Sequence, residues 1–403
     1  MKVQRISTLR LDEFPNVLWV QVHSDEGLIG LGETYFGAEA VEAYLHETVA
    51  PYILGKDPLA IDRHVGRLYG YLGFGGTGVE TRGNSALDIA LWDLFGQATG
   101  RPLYQLLGGR TREMVRVYNT CAGYGYARGG PQSPVDNWGL PANTSAGPYE
   151  DLDAFLNRAD ELAHSLLEEG ITGMKIWPFD PAALRQEGKN ISPRELDEAL
   201  EPFRKIRDAV GMDIDVMVEL HSLWNLAPAL KIAGALKDFS PFWLEDPLKA
   251  ENLQALADFA TRTPVPVAGG ETLAGRAAFK DLFDKRCVAI AILDVSWAGG
   301  LSEAKKISTM AETYGVPVAA HDCTGPVVLT ASTHLAVNLP NTMIQEIVRS
   351  FYYGWYGDVV TGLPAIAGGH ITPPEGPGLG IELLPDLYQR ADARGRSTGP
   401  EDL

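Results

Sequence analysis

Cysteine is scarce in this chain. The 403 residues hold three, Cys121, Cys287 and Cys323. No two form a CxxC pair and the count is odd, which argues against a disulfide framework and fits a reducing compartment. Positive charge is also in short supply. Lys and Arg total 34 against 52 Asp and Glu, a formal net charge of -18. Such a surface repels nucleic acid and anionic membrane, so neither is expected as a partner. No long apolar run follows Met1-Lys2-Val3-Gln4-Arg5. Neither a signal peptide nor a membrane span is therefore expected, and the chain reads as a soluble cytoplasmic protein. A glycine fingerprint for phosphate follows none of the strand patterns. No two of the 8 histidines stand two residues apart, which speaks against a His-x-His metallohydrolase. What remains is ordinary globular composition, 45% apolar and 21% charged, with length for one large domain and a smaller one.

Residues 1–113 read as an α+β unit. Val3 to Leu11, Val17 to His23 and Leu28 to Thr34 form a three-stranded meander pattern, broken at Pro15 and at Asp25-Glu26-Gly27. Helical spacing follows around Ala38–Val49, Ile61–Tyr71 and Asn84–Thr99. From 114 to 371 short apolar runs alternate with amphipathic helices. Strands are expected at Val115–Asn119, Gly173–Trp177, Ile214–Leu220, Phe242–Glu245, Val265–Gly269, Ala289–Val295, Val316–Ala320 and Met343–Ile347. The first helical pattern between them spans Leu152–Glu169. Eight strands with intervening helices predict an α/β fold, a (β/α)8 TIM-type barrel with an N-terminal α+β capping domain. An open doubly wound sheet competes, but it usually has fewer strands. Residues 372–403, rich in Pro and Gly, are expected to pack back on the cap. The Gly-, Pro- and Asn-rich stretch Ala122–Pro148 has the length of a lid or binding loop.

In such a barrel the chemistry lies at the C-terminal strand ends. Glu219, Glu245 and Glu271 fall there, one βα unit of 26 residues apart each time. Three converging carboxylates raise one another's pKa unless a cation joins them. All-oxygen ligands suit Mg²⁺, whereas zinc would want nitrogen or sulfur. Asp294 and His321 end adjacent strands, the pattern of a carboxylate that orients a general base. His221 follows Glu219 by two residues, so an extended backbone would turn it to the same side. It reads as a general acid or as a loop histidine bonded to backbone. Lys175 reads as a cation for a substrate carboxylate or as a partner for one of the glutamates. Glu346, at the eighth strand end, could hydrogen-bond a substrate carboxylate.

These residues, with Asn84-Ser85-Ala86-Leu87-Asp88-Ile89-Ala90-Leu91-Trp92-Asp93-Leu94, Pro102-Leu103-Tyr104-Gln105-Leu106-Leu107-Gly108-Gly109 and Gly376-Pro377-Gly378-Leu379-Gly380, resemble the enolase superfamily. Within it the match is to the mandelate racemase subgroup, including the acid-sugar dehydratases. The resemblance implies Mg²⁺ on Glu219, Glu245 and Glu271, a His321–Asp294 base dyad, Glu346 supporting an enolate, and Lys175 as the first lysine of a Lys-x-Lys motif. Two departures stand out. Trp177 occupies the place of the second lysine, the opposite-face base of the racemases, and an indole takes no proton at neutral pH. Glu219 is one methylene longer than the aspartate common at its place. With His221 added, the pattern is similar to galactonate-type dehydratases. The implied reaction is loss of the C2 proton of an aldonate or aldarate, through a metal-stabilised enolate, and elimination of the 3-hydroxyl to a 2-keto-3-deoxy acid. A racemase or epimerase on the same scaffold, or a non-catalytic metal-binding barrel, are the alternatives. The resemblance also implies a homo-oligomer, from dimer to octamer. Arg82, Trp177, Trp297, Trp224, Arg349, Phe14 and Tyr35–Ala38 are candidates for the pocket wall, with core or rim as the other reading for Arg82, Trp224, Trp297 and Arg349.

Overall fold

The computed structural model describes residues 1–69, 76, 78–129 and 147–403. In chain order the cap strands are β1 (Val3–Leu11), β2 (Val17–Ser24) and β3 (Ile29–Tyr35). The barrel strands are β4 (Val115–Thr120), β5 (Gly173–Ile176), β6 (Asp215–Glu219), β7 (Trp243–Glu245), β8 (Val267–Gly269), β9 (Ile290–Leu293), β10 (Val318–Ala320) and β11 (Thr342–Ile347). A hairpin of β12 (Ala365–Ala367) and β13 (His370–Thr372) follows, and then β14 (Ala393–Thr398).

The cap is a four-stranded antiparallel sheet in the order β14-β1-β2-β3. The helix Val79–Thr99 covers its inner face. Gly30 and Gly32 make that contact possible, because a Cβ at either would run into the carbonyl of Ala90 or Ala86. β4 to β11 follow one another in a parallel sheet that closes through β11 and β4. Strands buried on both faces need near-continuous apolar runs, and Ile290–Leu293 is one, buried throughout. The barrel interior is filled by Tyr118, Met217, Trp243, Ala268, Ile290, Ile292, Ala319 and Ile344, drawn from seven of the eight strands.

The expected helix over Leu152–Glu169 is two helices, Asp151–Asn157 and Ala159–Glu168, divided at Arg158 with φ -139 and ψ 48. Apolar spacing runs on across the break, so periodicity alone could not show the change of direction. Of the stretch Ala122–Pro148, residues 130–146 lie outside the described residues. Among the described residues no helix is long and apolar enough to cross a membrane.

Candidate active site

Parallel register builds an acidic cluster that could hold a metal ion. Glu219 and Glu245 end adjacent strands as direct register partners, and Glu271 follows two residues after β8. Carboxylate oxygens of the three come within 4.8 Å of one another. Two unit charges about 4 Å apart at an effective dielectric near 20 repel by ~4 kcal/mol, so this grouping calls for compensation. The extra methylene of Glu219 lets it fold back on its own strand end. Its Oε1 accepts from the backbone N–H of Leu220 at 3.0 Å and of His221 at 2.7 Å. Its buried Oε2 accepts no hydrogen bond among the described residues. Glu245 accepts from Trp243 Nε1 at 2.8 Å. Burial, with Glu219 and Glu346 nearby, pushes its carboxyl up to about 7 against the pull of Lys175. Burial likewise raises Glu271, opposed by His321 and Lys175. An all-oxygen donor set in which Glu219 Oε2 accepts no hydrogen bond among the described residues, and in which burial raises Glu245 and Glu271, fits a hard divalent cation.

Lys175 lies among the acids, its Nζ 2.8 Å from Glu245, 3.1 Å from Glu346 and 3.4 Å from Glu219. It is the ion partner of all three and also lines the cavity. Glu346 lies fully buried behind the wall, held by Thr120 Oγ1, by Lys175 and by the Asp322 N–H at 3.0 Å.

His321 and Asp294 stand one residue beyond β10 and β9, whose Ala320 and Leu293 are in register. Nδ1 is 2.7 Å from Asp294 Oδ2. The other Asp294 oxygen accepts from the Ser296 N–H at 2.7 Å and hydroxyl at 2.6 Å. Nδ1 therefore donates, and Nε2 turns inward, 3.3 Å from Glu271 and 3.8 Å from Glu346. Burial pulls the His321 pKa down, but Glu271, Glu346 and the bond to Asp294 outweigh it and raise the imidazole well above its usual range.

His221 reaches the cavity by a different route from the one its spacing suggests. It lies past the end of β6, in a left-handed turn with φ 48, a conformation that costs a non-glycine residue about 1–3 kcal/mol. Its Nδ1 is 2.7 Å from Asp180 Oδ2. Burial opposes its charge, yet Asp180 and Glu219 raise its pKa. Trp177 meets its ring edge-on, with centroids 5.6 Å apart.

The cavity, of about 170 Å³, is walled by both domains. The cap supplies Phe36 and Arg82, and the barrel Trp177, Trp297 and the two histidines. The Arg82 guanidinium lies 4.8 Å over Trp297 and donates to the Tyr35 carbonyl. Burial lowers its pKa to about 10, so it stays cationic at neutral pH. Trp224 and Arg349 are buried off this wall, and Phe14 stacks on Trp355 at 4.3 Å. Asp180, Thr120, Tyr126 and Cys323 were not singled out from sequence. For Asp180 the signal existed, since it is the acid nearest His221 on the neighbouring βα unit, as Asp294 is for His321.

A closed eight-stranded barrel with carboxylates at its strand ends, roofed by an α+β cap, defines a class of enzyme. Residues 158–387 match the enolase C-terminal domain-like family, and residues 7–108 the mandelate racemase / muconate lactonizing enzyme N-terminal domain. The chain belongs to the enolase superfamily, in its mandelate racemase and muconate lactonizing enzyme branch. It is 30% identical over 390 residues to a D-galactonate dehydratase of Ralstonia nicotianae, covering 95% of this chain and 92% of that one. It is 29% identical over 406 residues to a D-xylonate dehydratase of Haloferax volcanii, covering 100% of this chain and 91% of that one. Among solved structures, an enolase of the mandelate racemase subgroup from Agrobacterium tumefaciens superposes with a TM-score of 0.89 at 50% identity, each chain fully covered (100%).

Proposed function

We propose that this protein is a magnesium-dependent dehydratase of a sugar acid, an aldonate or aldarate. The observation that carries the reading is a second histidine–aspartate pair, His221–Asp180, on the same cavity wall as His321–Asp294 and beside the glutamate trio. A racemase needs a base on each face of C2, and the Lys-x-Lys place for one holds Trp177. A dehydratase needs one base and one acid, which two oriented imidazoles supply. The names of the Ralstonia and Haloferax relatives support the same class.

Glu219, Glu245 and Glu271 would hold Mg²⁺, which supplies positive charge beside the substrate carboxylate as negative charge develops. Lys175 and Arg82, both cations on the cavity wall, would orient that carboxylate. His321 Nε2 removes the C2 proton, with Asp294 holding the tautomer. His221 gives its proton to the departing 3-hydroxyl, which leaves as water. The resulting enol tautomerises to a 2-keto-3-deoxy acid. Charge sorts the two roles. Glu271 is the leading electrostatic cause of the raised His321 pKa, and cation binding there would lower it. For His221 burial acts against the charge, and the first electrostatic cause that raises its pKa is Asp180, outside the metal set, followed by Glu219 and Glu271.

The test is a panel of sugar acids with Mg²⁺, read by ketone formation, on wild type, His321→Asn and His221→Asn. His321→Asn should lose roughly 10²–10⁴-fold or more in turnover with Mg²⁺ binding intact. His221→Asn should lose dehydration yet still exchange the C2 proton with deuterated solvent. Undiminished ketone formation by either variant would remove it from its assigned role. Inversion at C2 without ketone would favour an epimerase.

A further inference from the structure

A second cluster of ligand-type side chains lies next to the glutamate trio and shares no residue with it. His321, Cys323 and Glu346 are all buried and bring one ligand atom each to within 4.8 Å of one another. We propose that they form a site for a borderline or soft divalent cation, zinc or cadmium in chemistry, whose occupation takes His321 out of use. The silencing rests on the function proposed above, and the binding does not.

The geometry favours a metal in three ways. Asp294 commits Nδ1 of His321, so Nε2 is presented as the donor. A carboxylate–histidine pair is the usual support of a metal-bound imidazole. Nε2 and Glu346 Oε2 are 3.8 Å apart. Tetrahedral zinc with bonds of about 2.1 Å to nitrogen and oxygen places two such atoms about 3.4 Å apart, so closure needs only a small contraction. The third donor, Cys323, lies on the cavity wall, its sulfur within 4.8 Å of the His321 and Glu346 ligand atoms. One histidine, one thiolate and one carboxylate with a fourth position open to the cavity is a known pattern of donors for zinc, and thiolate is a poor donor for magnesium.

Donor type would therefore sort two cations a few ångströms apart, a hard one on Glu219, Glu245 and Glu271, and a softer one on His321, Cys323 and Glu346. On binding, the Cys323 S–H bond and the Nε2–H bond of a protonated His321 break, sulfur–metal and nitrogen–metal bonds form, and the protons pass to solvent. The Lys175 ammonium, 3.1 Å from Glu346, opposes the added charge and would lean on Glu245 and Glu219 instead. With Nε2 ligated, no lone pair remains to take a proton, and the metal blocks the substrate's approach.

The experiment titrates the full-length, Mg²⁺-saturated protein with Co²⁺ and Cd²⁺. The expected result is a near-ultraviolet thiolate-to-metal band, with proton release, that further Mg²⁺ does not reverse. The band should persist in the Cys121→Ser/Cys287→Ser double variant and vanish in Cys323→Ser. Sugar-acid turnover should fall to background as the band saturates. A band reversed by Mg²⁺, one retained in Cys323→Ser, or no band in wild type overturns the proposal. The wild-type and double-variant results decide even if Cys323→Ser does not fold. If the band behaves as expected but no sugar acid is turned over, the dehydratase reading fails and the metal site stands.

Discussion

Arg349 shows how far one side chain's surroundings can lie from what its neighbours in sequence suggest. It follows the eighth barrel strand, where a cation could face substrate. Instead it is 1% exposed and points behind the site. Its guanidinium meets Asp151 at 2.7 and 3.1 Å and Glu169 at 2.7 Å. Removing one partner of a buried ion pair strands the other, at about 3–5 kcal/mol. Arg349→Met should lose stability of that order in urea unfolding while its Mg²⁺ affinity holds. A loss below about 1 kcal/mol would mean that Asp151 does not depend on this arginine. The glutamate trio and the His321–Asp294 pair were legible because each residue closes an apolar strand pattern. Asp180 was not, because it opens a short helix, Asp180–Gln186, after an irregular turn. Thr120 and Cys323 carry no charge and no spacing signal.

At the scale of elements, the two domains are joined by acids that cap helices across the interface. Glu33, on β3, accepts from the N–H groups of Val327 at 3.1 Å and Val328 at 2.9 Å, the first turn of the helix Pro326–Asn338. A Cβ at Gly325 would run into that carboxylate. Asp88 accepts from the Ser302 N–H at 3.0 Å, in the first turn of the helix Gly300–Thr313. Helix N-termini favour negative charge, and these two helices follow the strands that carry His321 and Asp294. Burial nevertheless pushes Glu33 up to about 8 from 4.5, against its donors Val328, Trp19 and Val327. Between those values the folded state holds a proton that the unfolded chain has lost. The contribution of Glu33 to stability therefore falls as pH rises through that window. Tm should drop more steeply from about pH 5 to pH 8 in wild type than in Glu33→Gln. Parallel Tm–pH lines for the two proteins would sink this account. The cap acids sit inside recognisable elements, yet nothing in their local sequence tells which neighbouring domain they will meet. β14 was missed for another reason. Its residues Ala393–Thr398 are mostly exposed, so the strand lacks the apolar alternation that marks a half-buried one.

For the whole molecule, a cation held by the three carboxyls on neighbouring strand ends would add to the stability of the barrel. A ligand that binds only the folded state stabilises it by about 2.7 kcal/mol at 100 times its Kd. Chelator-treated protein should melt lower than the Mg²⁺-loaded form, and added Mg²⁺ should restore the higher Tm. A melting curve indifferent to both additions would argue against a structural hold by the trio. The formal charge of -18 acts in the same direction, since bound dications reduce self-repulsion. The barrel was legible from the count of strands and their spacing. How the cap seats on it was not, because that depends on contacts more than 200 residues apart in the chain, such as Asp88 with Ser302.

The pairing of β14 with β1, Ile6 against Thr398, sets an order of events during synthesis. A ribosome delivers β1, β2 and β3 first and must translate the entire barrel before their fourth neighbour emerges. Until then β1 presents an unpaired edge, the kind of surface that recruits strands from other chains. Nascent protein stalled before residue 393 should therefore be the form most dependent on chaperones, even with its barrel already closed.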